Sequence, residues 1–569
     1  MFPEPGLNRP RTVGYPNYVH EILRHAGVCY TTIALNELPQ RLNEIRLLIT
    51  VGEFALSEQH KAQLHHWLSS GGGWISLGGI CGMEQELGAT LAAPFQGWAG
   101  GLAALGEGYL VPRMKDHPAL AQLEKPLHFF SGTQINARGS TVLATMLDAH
   151  GRETDRAVIV EHAAQKGRAI LIAADLTGTI VRIQQGIAVT RDGVSAPDGN
   201  APVHDGVLKS GDGGVLDWIF DRDPVEGVPG LTAFLRPAAD QWREVLLRSL
   251  FHLAQQLEVP LPLLWLYPRN LEAIAHMSHD TDGNEPPAGR KLLELLRTAE
   301  ITTTWCVILP GYDQSLMQAI KDAGHEYATH YDAMTEGLEW SEQQFDRQLR
   351  ELTAMFGESP VTNKNHYLRW EGDCELWEWC LKRGIQLDQS KGSSKAGEAG
   401  FNFGTCHPYK PVRFDGSEID VLELATPTQD LNVFADEKLF PPLMEAVIKH
   451  HGVLHLLFHP AHMLKEYAAG ALLRSAALAK QRGLEWWTGK QINAWERARR
   501  KLRWSNYQAS TGAPAVTISC DHALPDATIL WLVSPRLAEP RSARVTRWGF
   551  DFIATTRSIP ANTECRVEV

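Results

Sequence analysis

No run of about 18 apolar residues occurs anywhere in the 569-residue chain, so no helix is expected to span a membrane. The opening stretch, MFPEPGLNRPRTVGYPNY, lacks the apolar segment of a secretory signal, which gives a cytoplasmic expectation. A basic excess is missing too. Lys and Arg number 54 against 66 Asp and Glu, a net charge of -12, and this argues against nucleic acid as a partner. The eight cysteines contain no C-x-x-C pair, which speaks against a zinc ribbon or a disulfide framework and for reduced thiols. No internal repeat is present, and no feature bears on oligomeric state.

What remains is an ordinary globular balance, 44% hydrophobic and 21% charged, on a chain too long for one core. Four stretches are expected. Residues 1–185 alternate strands (IRLLITVG, WISLGG, GRAILIAADL) with helices (YVHEILRHAG, SEQHKAQLHHWLSS), the pattern of a parallel sheet covered by helices. Ser57 is the expected N-cap of the second helix. Residues 186–262 hold a Gly/Asp-rich loop and a linking helix. Residues 263–500 alternate strand and helix again, with polar residues crowded at strand ends. Residues 501–569 read as a small β module.

The strand ends of the third stretch carry the chemistry. AIAHMSHDTDGNE ends an apolar run with Asp280 and Asp282, which strand alternation would place on one side. Two carboxylates side by side repel unless a cation or a proton lies between them. A divalent ion answers that; so does a solvated turn. EYATHYD then offers His330 and Asp332, and TNKNHYLRWEG offers His366 and Arg369. FGTCHPYKP offers His407, and VLHLLFHPAH places His459 just after an apolar strand. Carboxylates and imidazoles together suit zinc or a similar ion.

In this order the motifs resemble those of the polysaccharide deacetylase family, distorted (β/α)7 barrels with metal-dependent deacetylase activity. SHDTD is similar to the family's first motif, GHEYATHYD to its second, NHYLRWEG to its arginine motif and LLFHPAH to its late His motif. The resemblance implies removal of acetyl groups from an amino-sugar-containing glycan by attack of metal-bound water. It assigns the ion, zinc, to Asp282, His330 and His366. Asp280 becomes the base, His459 the acid that protonates the leaving amine, and Arg369 the group that orients Asp280. Met334 stands where the family's second motif carries another His, so either His366 completes the ligand set or metal binding is weakened. Trp370, Tyr409 and His407 are candidates to line the sugar site, with core packing the competing role for the aromatics. Two other readings stay open: a non-catalytic carbohydrate-binding or assembly protein, and a metal-dependent hydrolase of another amide.

The first stretch resembles class I glutamine-amidotransferase-like domains, a flavodoxin-like α/β arrangement. GGGWISLGGICGMEQELG places Cys81 between a strand and a helix, where a nucleophile would sit. No His-x-Glu partner is evident, and a buried, inert thiol is the competing expectation.

Overall fold

The computed structural model describes residues 13–92, 104–193, 204–395, 397–509, 514–533 and 544–569. The start of the proline-containing N-terminus and the middle of the Gly/Asp-rich loop lie outside these residues. Two compact units divide the chain.

The first unit draws on Met1–Ile180, Gln241–Asn270 and Arg499–Val569. Its main strands are β1 (Leu47–Val51), β2 (Gly73–Leu77), β3 (Gly108–Pro112), β4 (Leu127–Phe129), β5 (Thr141–Asp148), β6 (Glu153–Ala164) and β7 (Gly167–Ile172). They run in the order β1-β2-β7-β6-β5-β3-β4. The pairs β1–β2 and β2–β7 are parallel, whereas those from β7 to β4 are antiparallel. The apolar β2, GWISL, is buried at every residue, as a central parallel strand covered on both faces must be. Helix α1 (Glu58–Ser69) starts where its cap predicts: Ser57 Oγ accepts the His60 N–H at 3.3 Å. The C-terminal residues form β structure as expected. Leu524–Leu532, Phe550–Ile559 and Arg544–Arg547 make an antiparallel sheet that also takes in Pro262–Leu264.

The second unit draws on Val181–Asp240 and Leu271–Ala498. Its strands are β8 (Ile274–Asp280), β9 (Thr304–Val307), β10 (Glu326–Tyr331), β11 (Thr362–Asn365), β12 (Leu387–Asp388), β13 (Leu422–Glu423), β14 (Val453–Leu457) and β15 (Glu485–Trp486). The order is β13-β12-β11-β10-β9-β8-β14, with β15 also on β8, and every pair is parallel. Parallel neighbours need crossovers. Helices α2 (Pro286–Ala299), α3 (Gln314–Asp322), α4 (Glu342–Phe356) and α5 (Glu375–Arg383) supply them between β8 and β12. The result is a curled parallel sheet of the distorted-barrel type.

Alternation along β8 sorts its side chains into two environments. Ala275 and Met277 join the apolar core beneath the helices. His276, Ser278 and Asp280 face a polar interior. There, Ser278 Oγ meets His455 Nε2 at 2.9 Å, and Gln389 Nε2 donates to His276 Nε2 at 2.8 Å. Burial lowers the His276 pKa to about 4, so this ring stays neutral.

Candidate metal and catalytic site

Strand β8 ends at Asp280, and the next residues turn sharply. Thr281 Oγ1 donates to Asn284 Oδ1 at 2.9 Å, Asn284 N–H returns to Thr281 O at 2.8 Å, and Asn284 Nδ2 donates to Ile308 O at 3.0 Å. Asp282 sits in this turn with φ +31°, outside the extended region. Asp280 and Asp282 therefore converge because of the turn, and not through strand alternation as the sequence implied. Both approach the imidazole of His330, on β10: Nε2 lies 3.3 Å from Asp282 Oδ1 and 3.9 Å from Asp280 Oδ2.

The segment after β11 brings in His366, whose Nε2 is 3.7 Å from Asp282 Oδ1. Candidate ligand atoms of Asp282, His330 and His366 all lie within 4.8 Å of one another. Four-coordinate zinc with bonds of about 2.0–2.1 Å needs ligand atoms about 3.3 Å apart, close to the spacing found. The outer atoms agree with that use. His330 Nδ1 donates to Lys364 O at 2.9 Å, and His366 Nδ1 donates to Asp332 Oδ1 at 3.0 Å. Each ring is thereby held with its Nε2 lone pair turned to the shared centre. His330 Nε2 and Asp282 Oδ1 are buried and have no hydrogen-bond partner. Buried polar atoms are rarely left so, and a divalent ion would satisfy both. The residues fit the ion.

Electrostatics favour the charged carboxylates. Burial pushes Asp282 up, but the closeness of the His330 imidazole, with His459 and His366 beside it, outweighs burial and holds it at about 2 in the metal-free protein. Asp332 is likewise held well below the usual carboxylate range: burial opposes this, and bonds from His366, Thr335 and the Met334 N–H prevail. Met334, where the family pattern has a histidine, thus supports the His366 orienter with its backbone (2.8 Å).

Opposite the metal ligands stands His459, just after β14. Its Nε2 lies 3.7 Å from Asp282 Oδ2 and 3.9 Å from Asp280 Oδ2. Burial lowers its pKa, yet the charge and hydrogen bond of Asp430, with help from Asp282 and Asp280, raise it to about 9. Asp280 is only 3% exposed and needs a counter-charge. The buried Lys364 supplies it, with Nζ 3.5 Å from Asp280 Oδ1 and a bond to Ser278 Oγ. Neither Lys364 nor Asp430 was singled out in the sequence. TNKN lacks the apolar run that marks a strand, and nothing local marks an aspartate 29 residues before its histidine.

Other expectations do not fit. Arg369 turns away from Asp280: its Nη2 meets Glu371 Oε1 at 2.5 Å and its Nη1 meets Ala333 O. Trp370 and Tyr409 are 0% exposed and offer no face to a ligand. The Lys391 ammonium lies 3.8 Å above the Trp370 ring, and Tyr409 Oη donates to Gln184 O at 2.6 Å. His407 is buried, with Nε2 donating to His450 O at 2.8 Å. Two exposed aromatics were overlooked. Tyr367 packs edge-on against His366, and Phe434 does the same against His459 and His462.

In the first unit Cys81 does occupy a tight turn, with φ +55°. Its thiol is 2% exposed, and burial with the Glu53 charge pushes its pKa to about 12. Glu53 accepts the N–H groups of Ile80 (2.6 Å) and Cys81 (2.8 Å), the donors an oxyanion would need. Another His/Glu cluster there, His117, Glu161 and His252, is explained by hydrogen bonds alone. The Ala119 N–H donates to His117 Nδ1 at 3.3 Å, so Nε2 carries the proton and donates to Glu161 at 3.0 Å.

No family model and no curated protein sequence matches this chain. Among solved structures it is similar to a protein assigned as a polysaccharide deacetylase from Mycobacterium smegmatis, at 17% identity and TM-score 0.32, over 41% of this chain and 92% of that one. A second, from Pseudomonas aeruginosa PAO1 and assigned likewise, has 14% identity and TM-score 0.31, over 41% and 93%. A family 4 acetyl xylan esterase from Clostridium thermocellum has 14% identity and TM-score 0.26, over 38% and 89%. The reading of the site rests on its own atoms and not on these likenesses.

Proposed function

We propose that the second unit is a metal-dependent hydrolase that removes acetyl groups from an amino-sugar-containing glycan. One observation carries the reading. Two buried, partnerless atoms, His330 Nε2 and Asp282 Oδ1, converge with His366 Nε2, and both rings are locked from behind in the ligating tautomer. A divalent ion bound there supplies a Lewis acid for the acyl carbonyl and acidifies water at neutral pH.

The chain's own groups divide the remaining work. Asp280, charge-balanced by Lys364, is the base that accepts a proton from the attacking water. His459, whose Nδ1–H is held by Asp430, presents Nε2 to the centre and donates a proton to the departing amine or alcohol. Acid–base help of this kind is worth about 10²–10⁴-fold. Burial of Asp280 and the paired Lys364 keep the base in place without drawing on Arg369.

The non-catalytic alternative leans on Met334, and His366 removes much of that support by offering the third ligand. Hydrolysis of another amide uses the same atoms and differs only in substrate. The test is turnover of p-nitrophenyl acetate and of acetylated amino-sugar oligomers by the zinc-loaded protein, with Asp280→Asn alongside. Turnover lost in the variant supports the assignment; wild-type turnover in the variant removes Asp280 from the role.

A further inference from the structure

We infer that Ser278 and His455 are positioning residues for the proposed hydrolysis: one directional hydrogen-bond chain, running through both, aims the Lys364 ammonium at the base Asp280. This rests on the hydrolase reading and adds to it the groups that fix the counter-charge of its base.

Lys364 needs such an anchor. It stands on β11, and β10 and β9 lie between that strand and β8, which carries Asp280. Its flexible four-carbon stem therefore crosses the polar interior, ending in a compact charge with rotatable N–H donors. Attraction to Asp280 Oδ1 at 3.5 Å sets no single orientation for that head. Asp280 Oδ1 is buried and accepts no hydrogen bond among the described residues, so where the ammonium sits decides how well the carboxylate is balanced. The bond from Lys364 Nζ to Ser278 Oγ supplies the orientation.

The direction of that bond is fixed from both ends. An ammonium has no lone pair, so Lys364 can only donate and Ser278 Oγ must accept. Ser278 Oγ also meets Nε2 of His455, on the neighbouring strand β14, at 2.9 Å. The other ring nitrogen, His455 Nδ1, lies 3.0 Å from Ala425 O, an acceptor, so Nδ1 carries the ring's proton. Nε2 is then the lone-pair nitrogen and takes the single hydroxyl proton of Ser278. With that proton committed, Ser278 turns its own lone pairs to Lys364. The chain runs from Lys364 to Ser278 to His455 to Ala425, and no link can be reversed. It requires a neutral imidazole. Burial, helped by His276 and Lys364 nearby, holds the His455 pKa well below the ordinary histidine value.

The His455 ring is also held from the side. His276 is its partner in the β8–β14 register, and their ring centroids are 4.6 Å apart. His276 is tied at both nitrogens: Nδ1 donates to Trp487 O at 2.8 Å, and Nε2 accepts from Gln389 at 2.8 Å. Ser278, Lys364 and His455 are all 0% exposed, so solvent offers no substitute for a lost link. A buried network satisfied in this way fixes one arrangement of its members.

The test uses the full chain, zinc-loaded, with p-nitrophenyl acetate as substrate. Wild type, Ser278→Ala, Lys364→Met and the double variant form one cycle. Ser278→Ala should keep its zinc and its KM and lose about 10–100-fold in kcat. In the Lys364→Met background the same change should cost less than about twofold, because the group it aims is gone. A merely structural serine would cost the same in both backgrounds. His455→Leu, which frees the Ser278 hydroxyl, should lose kcat in the same direction and add as little to Lys364→Met. Wild-type kcat in Ser278→Ala, loss of its zinc, or equal losses in both backgrounds would overturn the chain. Should turnover be absent in wild type, or too low to read in Lys364→Met, urea unfolding of the same four proteins decides. Absent wild-type turnover counts against the hydrolase reading alone. A Ser278→Ala cost in the folding equilibrium about fivefold larger with Lys364 present than in Lys364→Met keeps the chain, and equal costs overturn it.

Discussion

Asp430 holds His459 twice: Oδ1 accepts the backbone N–H at 2.8 Å, and Oδ2 accepts the ring Nδ1–H. One buried carboxylate thus fixes the ring's orientation, its tautomer and its charge, leaving Nε2–H directed at the two aspartates of the site.

That pairing predicts a pH dependence of stability in the metal-free protein. The folded pKa of His459, about 9, lies above its unfolded value of 6.5. The stabilisation is therefore fully present below pH 6.5 and is lost as pH rises through 9. That difference corresponds to about 3 kcal/mol. Urea unfolding in chelator from pH 6 to 9.5 should show the decline in wild type and a much flatter profile in Asp430→Asn.

Asp332 is 4% exposed and orients His366. Removing such a partner usually costs about 10–100-fold in metal affinity. Zinc titration of Asp332→Ala against a competing chelator should show a loss in that range, with Thr335→Ala, which removes one hydroxyl donor to the same carboxylate, losing less.

Lys364→Met should cost both stability and activity. It strands a buried Asp280 without its ammonium, a change worth about 3–5 kcal/mol when one partner of a buried pair is removed. Chemical denaturation checks the first effect. Lys364→Arg should recover part of the turnover if charge is what Asp280 needs, and none if only the Lys364 shape matters.

How much of this was legible in the sequence depended on the range of the signal. Apolar runs bounded by glycine and caps marked β1, β2, β8, β14 and α1, because those elements are set by local burial and hydrogen bonding. Asp280, Asp282, His330, His366 and His459 stood out because each ends or follows a strand, and the structure gathers them at one centre. Lys364 and Asp430 act through tertiary proximity alone. The aromatics misled for a related reason: Trp370 and Tyr409 look like platforms in isolation, but burial is decided by what packs over them. The antiparallel half of the first sheet escaped as well, since strands such as TVLATMLD do not reveal the direction of their partners.

Cys81 should be silent. With the thiol pKa at about 12 and the side chain buried, iodoacetamide at pH 7.5 should leave it unmodified in the native protein and label it after unfolding. Peptide mass spectrometry reads both states, and rapid native labelling would contradict the packing described.

The most direct test of the central claim is the metal content of the chain. Elemental mass spectrometry after mild zinc loading and gel filtration should find one ion per wild-type chain, and far less in Asp282→Ala and in His366→Ala. Wild type without an ion would contradict the account, and so would variants that retain it.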